Sequence, residues 1–297
     1  MARVTVAAVT AALVATGTSA AVAADAGAGA QAKAVAVSPA APHATAFAAN
    51  ATATVTPVNA LYGVNNTGDI YGYAPTGNGG LSAAEKTGYG FQYKKYVTQA
   101  DLDSDGDSDG VWFVQNNRLY YGPWSQDARD LGGGWGIYNR VFSSSNIGGG
   151  SADDLLARDS SGVLWLYLGY GNGKIAARTK VGAGWNAYNQ ITGKGDLTND
   201  GKADIVARDG SGVLWLYKGT GDYKKPFAGR VKIGAGWNAF NTLISVGDIN
   251  FDGVSDLIAR DGSGALWLYK GTGNAAAPFH TKVKIGTSGW NTYRLMF

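Results

Sequence analysis

Short runs of apolar and polar residues alternate from about residue 58 to the end of the chain. Each run has the length and the β-branched or aromatic residues of a short strand. In one period these runs are residues 241–246 (NTLISV), 256–261 (DLIARD), 265–271 (ALWLYKG) and 280–286 (HTKVKIG). Gly-Ser-Gly between the second and third runs is typical of a hairpin turn, because glycine readily adopts positive φ. The pattern therefore predicts units of four antiparallel strands without helices.

The unit is repeated along the chain. A "GWN" turn or its equivalent occurs at Phe91, Trp135, Trp185, Trp237 and Trp290, at intervals of 44, 50, 52 and 53 residues. The repeats cover about 58–98, 99–143, 144–193, 194–245 and 246–297. Five four-stranded units at this period predict an all-β fold, a five-bladed β-propeller of four-stranded antiparallel blades.

The two ends of the repeat region complement each other. The chain ends in "GWNTYRLMF", which is similar to the start of another unit's first strand, and the first unit lacks that strand. We therefore expect residues 293–297 to complete the first blade, so that the C-terminal strand closes the ring and removes open sheet edges.

Two segments precede the repeats. Residues 1–23 have the charged start, the apolar stretch and the Ala-Val-Ala site of a secretion signal peptide. A membrane anchor is the alternative, but the stretch is weakly apolar and a polar linker follows it. Residues 24–57 are rich in Ala, Thr and Pro and are predicted to be a disordered linker or propeptide. We expect a secreted, extracellular protein with no membrane span after signal removal.

Composition argues against several classes of function. The net charge of +3 is too small to indicate nucleic-acid binding. Glu85 is the only glutamate, the chain has two histidines, and no metalloprotease or serine-hydrolase motif is present. Repetition of nearly every Asp favours several equal sites over one catalytic site. We predict a non-enzymatic monomer.

Evenly spaced carboxylates follow the first strand in three units. Oxygens at positions 1, 3, 5 and 9 of such a loop, with Gly at position 6, are suited to wrapping Ca²⁺. The predicted metal ligands are Asp101, Asp103, Asp105, Asp109, Asp196, Asp200, Asp204, Asp248, Asn250, Asp252 and Asp256.

Asp-rich turns without a metal are the alternative, since Asp favours turns. Packing several like charges into nine residues without a cation is costly, which favours Ca²⁺. The third unit (146–154, NIGGGSADD) has lost two carboxylates, so we predict no metal there or in the first unit. The chain has no cysteine, and structural Ca²⁺ would take the place of disulfides.

The units resemble two known families. "DLDSDGDSD" and "DINFDGVSD", with "WLYKGTG" after the latter, look like the FG-GAP or VCBS repeats of secreted and cell-surface propellers. "RVKIGAGWNAF" (230–240), "KVKIGTSGWNTYRLMF" (282–297) and "LYGVNNTGDIYGYAP" (61–75) look like tachylectin-type five-bladed lectins. The lectin likeness covers all five units. The FG-GAP likeness is clear in the second, fourth and fifth.

The lectin resemblance implies binding of N-acetylated sugars such as N-acetylglucosamine, or of a cell-surface polysaccharide, between neighbouring blades. Trp offers a stacking face and Asn a donor and an acceptor. The candidate ligand-binding residues are Trp135, Trp185, Asn186, Trp237, Asn238, Trp290 and Asn291. Packing between blades is an equally good interpretation of the repeated Trp. Trp165, Trp215 and Trp267, in the middle of predicted strands, are assigned to the core. The alternative to a lectin is a surface or accessory propeller that recognises protein, or a purely structural module.

Overall fold

The computed structural model describes residues 55–297. The predicted signal peptide and nearly all of the predicted linker lie outside these residues. Twenty short strands form five four-stranded sheets, and every strand pairing within a sheet is antiparallel. The predicted all-β, five-bladed propeller is confirmed.

The five blades follow one another along the chain, and only the first is built from both of its ends. Blade one contains β20 (Tyr293–Met296), β1 (Leu61–Asn65), β2 (Ile70–Tyr73) and β3 (Glu85–Gly88). Blade two contains β4 (Tyr96–Ala100), β5 (Gly110–Gln115), β6 (Arg118–Pro123) and β7 (Arg129–Gly133). Blade three contains β8 (Tyr138–Ser143), β9 (Leu155–Asp159), β10 (Leu164–Tyr167) and β11 (Thr179–Gly182). Blade four contains β12 (Tyr188–Thr192), β13 (Ile205–Asp209), β14 (Leu214–Tyr217) and β15 (Val231–Gly234). Blade five contains β16 (Phe240–Ile244), β17 (Leu257–Asp261), β18 (Leu266–Tyr269) and β19 (Val283–Gly286).

Side chains alternate along each strand, so that one face of a blade packs against the preceding blade and the other face against the following blade. In β10, Leu164 and Leu166 are fully buried in the cluster shared with blade four. Trp165 and Tyr167 point the other way and pack, half-buried, against the cluster shared with blade two. Because successive side chains of a strand leave on opposite faces, one sheet supplies two interfaces. The hydrophobic core is accordingly five clusters, one at each junction between blades.

The C-terminal strand closes the ring, as the sequence predicts. β20 pairs with β1, and the backbone N–H groups of Tyr62 and Phe297 each donate to the other residue's carbonyl, at 2.8 and 3.1 Å. The Phe297 ring is buried and stacks on Tyr62 with ring centroids 5.5 Å apart. The first blade of the described chain therefore has all four of its strands, and the edge of β1 is paired with β20.

One cavity of about 110 Å³ lies among the innermost strands of the five blades, on the axis of the ring. At one face the aspartate loops surround the axis. Residues 56–60 enter there: the Val58 N–H donates to Gly106 O of blade two, and the Asp248 N–H of blade five donates to Pro57 O. Blade one has no loop at this position because its two inner strands, β20 and β1, are not consecutive in the chain, and residues 56–60 run there instead.

Removal of the last six residues should lower the melting temperature sharply, because it removes β20, leaves β1 paired with β2 alone and exposes the Tyr62 side of the first junction. Phe297→Ala alone should cost about 3 kcal/mol of unfolding free energy, as for other large-to-small core changes. Thermal and urea unfolding measure both effects.

Phe251→Ala is the matched control, since this ring is 42% exposed at the tip of an aspartate loop. We expect it to change stability by less than about 0.5 kcal/mol. An unchanged melting temperature after the six-residue deletion would contradict the closure.

Candidate functional site

The GWN segments form the same turn at four of the five junctions. Trp185–Ala187 is a single turn of 3-10 helix, preceded by Gly184 at φ 87°, a left-handed conformation that favours glycine. Trp135–Ile137, Trp237–Ala239 and Trp290–Thr292 repeat it. In each case the turn directly precedes the first strand of a blade, so it stands where one blade meets the next.

The backbone of each turn is bonded to the hairpin of the preceding blade. The N–H of Trp185 donates to Gly162 O at 2.9 Å. In the first repeat, where Phe91 replaces the Trp, the N–H of Phe91 donates to Gly68 O at 3.0 Å. Trp135, Trp237 and Trp290 make the equivalent bond to Asn117, Gly212 and Gly264. The repeated turn thus forms a hydrogen-bonded joint between neighbouring blades.

Arginines of the repeated "ARD" segment hold the same joint from the other side. Arg208 donates to the carbonyl oxygens of Trp237 (2.8 Å) and Phe240. Arg158 and Arg260 make the equivalent pairs with Trp185 and Tyr188 and with Trp290 and Tyr293. The segment recurs at 157–159, 207–209 and 259–261, but the sequence alone does not indicate this role. Each Trp carbonyl also accepts the backbone N–H of the residue that ends its 3-10 turn, so the arginine adds a second hydrogen bond there.

The four candidate tryptophans are packing residues with one free polar group. Their exposures are only 6, 6, 7 and 9%, and neighbouring rings cover the indoles: Tyr217 lies 4.8 Å from Trp185 between ring centroids. Stacking of a sugar on these faces is therefore not available in this conformation, which favours the packing interpretation for the rings.

The indole N–H groups of these four tryptophans differ from those of the other five. Trp112, Trp124, Trp165, Trp215 and Trp267 each donate their N–H to a protein oxygen. The N–H groups of Trp135, Trp185, Trp237 and Trp290 have no partner within residues 55–297 and are not among the buried unpaired atoms there. They are free donors at the seam between blades.

Glycines of the adjacent outer strand keep that seam open. A Cβ atom on Gly286 would lie 2.3 Å from Nε1 of Trp290, and one on Gly182 would lie 3.8 Å from Nε1 of Trp185. Any larger residue at Gly286 would therefore cover the N–H. The absence of a side chain leaves a narrow cleft beside the free donors of Trp185 and Trp290.

The mid-strand tryptophans pack in three of the same junctions. Arg178 lies over the ring of Trp165 with its guanidinium carbon 4.0 Å from the ring centroid, and it donates to the Tyr138 hydroxyl at 2.9 Å. Arg230 repeats the stacking on Trp215 at 4.0 Å, and Lys282 lies over Trp267 at 4.4 Å. These tryptophans pack against the core as expected, but each is half-buried and carries a cation. In the sequence, these cations are the basic residues that stand two positions before the Lys of each "TKVG" or "VKIG" strand.

The candidate asparagines lie at the rim of the same clefts. Asn186 and Asn291 are exposed and donate to the hairpin carbonyls of Ser160 (3.0 Å) and Gly262 (2.9 Å). Asn238 makes a longer bond of 3.4 Å to Gly210. Each amide nitrogen is thus used within the joint, while the Asn186 and Asn238 amide oxygens accept no hydrogen bond within the described chain. In the second copy Gly136 replaces Asn, and its N–H donates to Asn117.

The loop of blade two brings three of its predicted carboxylates together. Oxygens of Asp101, Asp103 and Asp109 lie within 4.8 Å of one another, and no other three acidic or histidine residues among residues 55–297 do so. Asp105 lies outside this group and accepts the N–H of Asp107 at 2.9 Å. Burial, and then the charge of Asp153, raise the pKa of Asp101 to about 6. A cation would remove this repulsion.

The loop of blade four is neutralised differently. Asp200 forms an ion pair with Lys218 at 2.9 Å, and Asp196 accepts the N–H groups of Thr198 and Gly201. Asp204 is fully buried, and its two oxygens accept N–H groups of Leu197 and Gly219 at 3.0 and 2.8 Å. Burial raises its pKa to about 7. These three carboxylates do not converge on one point.

The loop of blade five contains an unpaired ligand atom. The Oδ1 atom of Asn250 is buried without a hydrogen-bond partner in the described chain, although its Nδ2 donates to Asp252 at 2.6 Å. Asp248 accepts the Gly253 N–H at 2.6 Å, and Asp256 accepts those of Ile249 and Gly271. An oxygen atom that is buried and unpaired fits a cation ligand.

The third loop closes with its own hydrogen bonds. Asn146 occupies position 1, where its Oδ1 accepts the N–H groups of Gly149 and Gly150 and its Nδ2 donates to Gly150 O. Asp154 at position 9 accepts the N–H groups of Ile147 and Gly169, as Asp204 accepts those of Leu197 and Gly219. The carboxylate at position 9 therefore fastens the loop to the turn after the third strand, although this loop lacks two of the oxygens suited to a metal.

Comparison with known proteins gives a partial family match. Residues 196–259 match the FG-GAP-like repeat, which is about one repeat period of this chain. No curated protein matches the sequence.

Several solved structures are similar to the chain. BP39L lectin from Burkholderia pseudomallei is 13% identical, covers 81% of this chain and 73% of its own, and has a TM-score of 0.49. AofleA from Arthrobotrys oligospora is 10% identical, with 80 and 75% covered and a TM-score of 0.44. Human WBSCR16 is 10% identical, with 74 and 63% covered and a TM-score of 0.35. At such values the likeness carries no information on ligand or residue roles. No helix among residues 55–297 is long and apolar enough to cross a membrane.

The carboxylates that end the "ARD" segments make stability sensitive to acid. Although burial raises the pKa of Asp159, hydrogen bonds from Ser161, Trp165 and Val163 outweigh it and lower the pKa to about 2. The unfolded value is about 3.9. A lowered pKa gives stability that is present above pH 4 and is lost as the pH falls towards 2.

Asp159→Asn should therefore destabilise the protein at pH 6 and have little effect at pH 2, as measured by urea unfolding at both pH values. Asp222→Asn, in an exposed loop, is the control and should behave as wild type at both. An equal loss at both pH values would contradict this linkage.

Proposed function

We propose that this protein is a secreted, non-enzymatic propeller that binds carbohydrate at repeated clefts between blades. The observation that carries the proposal is the free indole N–H at four equivalent seams. It lies next to a glycine in two of them and, in three of them, shares the junction with a half-buried Trp that carries a cation. Sugars offer hydroxyl and acetamido oxygens to such donors and an apolar face to the ring edges.

The cleft between blades three and four contains all the elements of the proposed site. The donors are the Trp185 N–H and the outward guanidinium of Arg230, which holds the Tyr188 hydroxyl. The Asn186 amide oxygen supplies an acceptor at the rim. The arrangement suits an N-acetylated sugar such as N-acetylglucosamine, whose acetamido group carries both an acceptor and a donor. Trp135, Trp237 and Trp290 hold the corresponding positions in the other clefts.

Several weak and similar sites around a ring suit a repetitive ligand. Binding of one sugar raises the effective concentration of the next along the same polysaccharide, so overall affinity rises without new contacts. A cell-surface or extracellular glycan is the expected partner of a secreted monomer.

Structural Ca²⁺ is the second part of the proposal. The loop of blade two fits the ion best, through the converging oxygens of Asp101, Asp103 and Asp109, and the loop of blade five would add the unpaired Oδ1 of Asn250. When bound, the ion would neutralise the carboxylates and fasten the first two strands of the blade. Blade four has Lys218 for part of that task. Ca²⁺ therefore suits its loop less well.

Replacing the free donors should weaken sugar binding. Trp185→Phe with Trp237→Phe keeps an aromatic ring in each joint and removes the N–H, so each changed cleft should lose about fivefold to tenfold in affinity, the value of one hydrogen bond. Isothermal calorimetry with N-acetylglucosamine, and a glycan array for multivalent ligands, measure the loss.

Trp124→Phe is the control, because that buried indole donates its N–H inside blade two, to Ser108. Unchanged binding in the double variant would exclude these donors. If the wild-type protein binds no glycan on the array, carbohydrate binding is contradicted, and a module that recognises protein or is purely structural is favoured.

Chelation should lower thermal stability. With dissociation constants of about 10⁻⁴–10⁻³ M, as in extracellular loops of this type, 10 mM Ca²⁺ stabilises each occupied site by roughly 1.4–2.7 kcal/mol. Melting curves in Ca²⁺, in Mg²⁺ and in chelator measure the effect, and Asp103→Asn should abolish most of it. Equal melting temperatures in Ca²⁺ and in chelator would refute a structural ion.

A further inference from the structure

The cavity on the ring axis contains an arginine that forms no ion pair within the described chain. Among the side chains that line it, those of Arg140 and Lys194 are the only charged ones, and the C-terminal residue Phe297, with its main-chain carboxylate, lines it as well. Lys194 is buried at the aspartate-loop end and pairs with Asp153, whose side chain is 5% exposed. Lys194 therefore has a counter-ion in direct contact, whereas Arg140 does not.

Arg140 is held in place by a single hydrogen bond to the backbone of a neighbouring blade. Its Nη2 donates to Ile191 O at 2.7 Å, and its guanidinium lies 5.9 Å from the Phe142 ring. Its Nε is buried and has no partner in the described chain. Arg140 forms no ion pair with any residue from 55 to 297.

Other blades have no cation at the same place. The residues at the matching position of the first strands are Tyr96, Gln190, Thr242 and Leu295, as shown by the strand pairings. Arg140 is therefore not part of the repeat, and its position on the axis gives the ring one asymmetric polar site. Neither the joints nor the clefts use it.

We propose that the axial cavity binds one small inorganic anion, of the size and charge of chloride, through Arg140. A guanidinium that forms no ion pair and has a buried, unpaired Nε is costly, and an anion supplies both a charge partner and an acceptor for Nε. The cavity of about 110 Å³ is a few water volumes in size, at about 30 Å³ each, which suits a monatomic ion with a water or two. Hydroxyl-bearing residues such as Thr98 and Ser143 line the same space.

Chloride binding is tested by thermal unfolding in sodium chloride and in sodium gluconate at equal ionic strength, since gluconate is too large for the cavity. Wild type should melt at a higher temperature in chloride. In Arg140→Gln the apparent chloride affinity should fall about tenfold or more, as expected for loss of a charged hydrogen bond. Lys180→Gln, which removes one exposed charge on the outer strand of blade three, is the matched control and should retain the wild-type response.

Crystals of the wild-type protein grown in bromide provide a readout that does not depend on the variant's folding. Anomalous density in the axial cavity within hydrogen-bond distance of Arg140 is the expected result. A cavity without bromide, or a chloride response as large in Arg140→Gln as in wild type, would overturn the proposal. Sugar binding is measured separately, so neither outcome depends on the proposed carbohydrate clefts.

Discussion

The joint between neighbouring blades is the interaction on which the rest of the structure depends. At every junction an aromatic residue is buried between two sheets while its backbone N–H bonds to the preceding hairpin. Sheets of four strands are too small to bury both faces alone, so each blade obtains its core from its neighbours. The same joint fixes the position of every candidate cleft, since the cleft is the part of the seam that the aromatic ring does not fill.

The need for packing at every junction explains why the joint residues are repeated more strictly than the loops. The ring of Trp185 must be buried for the blades to pack, and its N–H is left at the surface because the neighbouring strand has Gly182 there. Structural need preserves the residue, and binding would use the one atom that packing does not need. The aspartate loops are under weaker constraint: Asp154 fastens its loop although that loop has lost two of the oxygens suited to a metal.

Periodicity was sufficient to predict the propeller, the blade number and ring closure, because a repeated four-strand unit has few ways to bury its faces. The predicted strands of blade five lie within about three residues of β16–β19 at each boundary. The roles of side chains were harder to predict. A repeated Trp is compatible with stacking on a ligand or with packing, and only the covering ring of Tyr217 distinguishes the two. The bond from Arg208 to a turn of the next blade joins residues 29 positions apart, and no local pattern encodes it.

The convergence of Asp101, Asp103 and Asp109 follows from a spacing visible in the sequence, whereas the divergence of Asp196, Asp200 and Asp204 does not. Lys218, which follows β14, forms an ion pair with Asp200, so the same motif has a different charge environment in blade four than in blade two. That Arg140 forms no ion pair within the described chain was equally hard to predict, because it depends on the residues that the other four blades place around the axis.

The place where the chain enters the ring gives the disc two distinct sides. Pro57 and Val58 lie among the aspartate loops, at one end of the strands, while the GWN turns pack on hairpins at the opposite end. A rigid partner fused directly before Val55 would therefore stand on the loop side and leave the hairpin side unobstructed. An array of such discs, each anchored by that end, would present all of its seams outward in the same orientation.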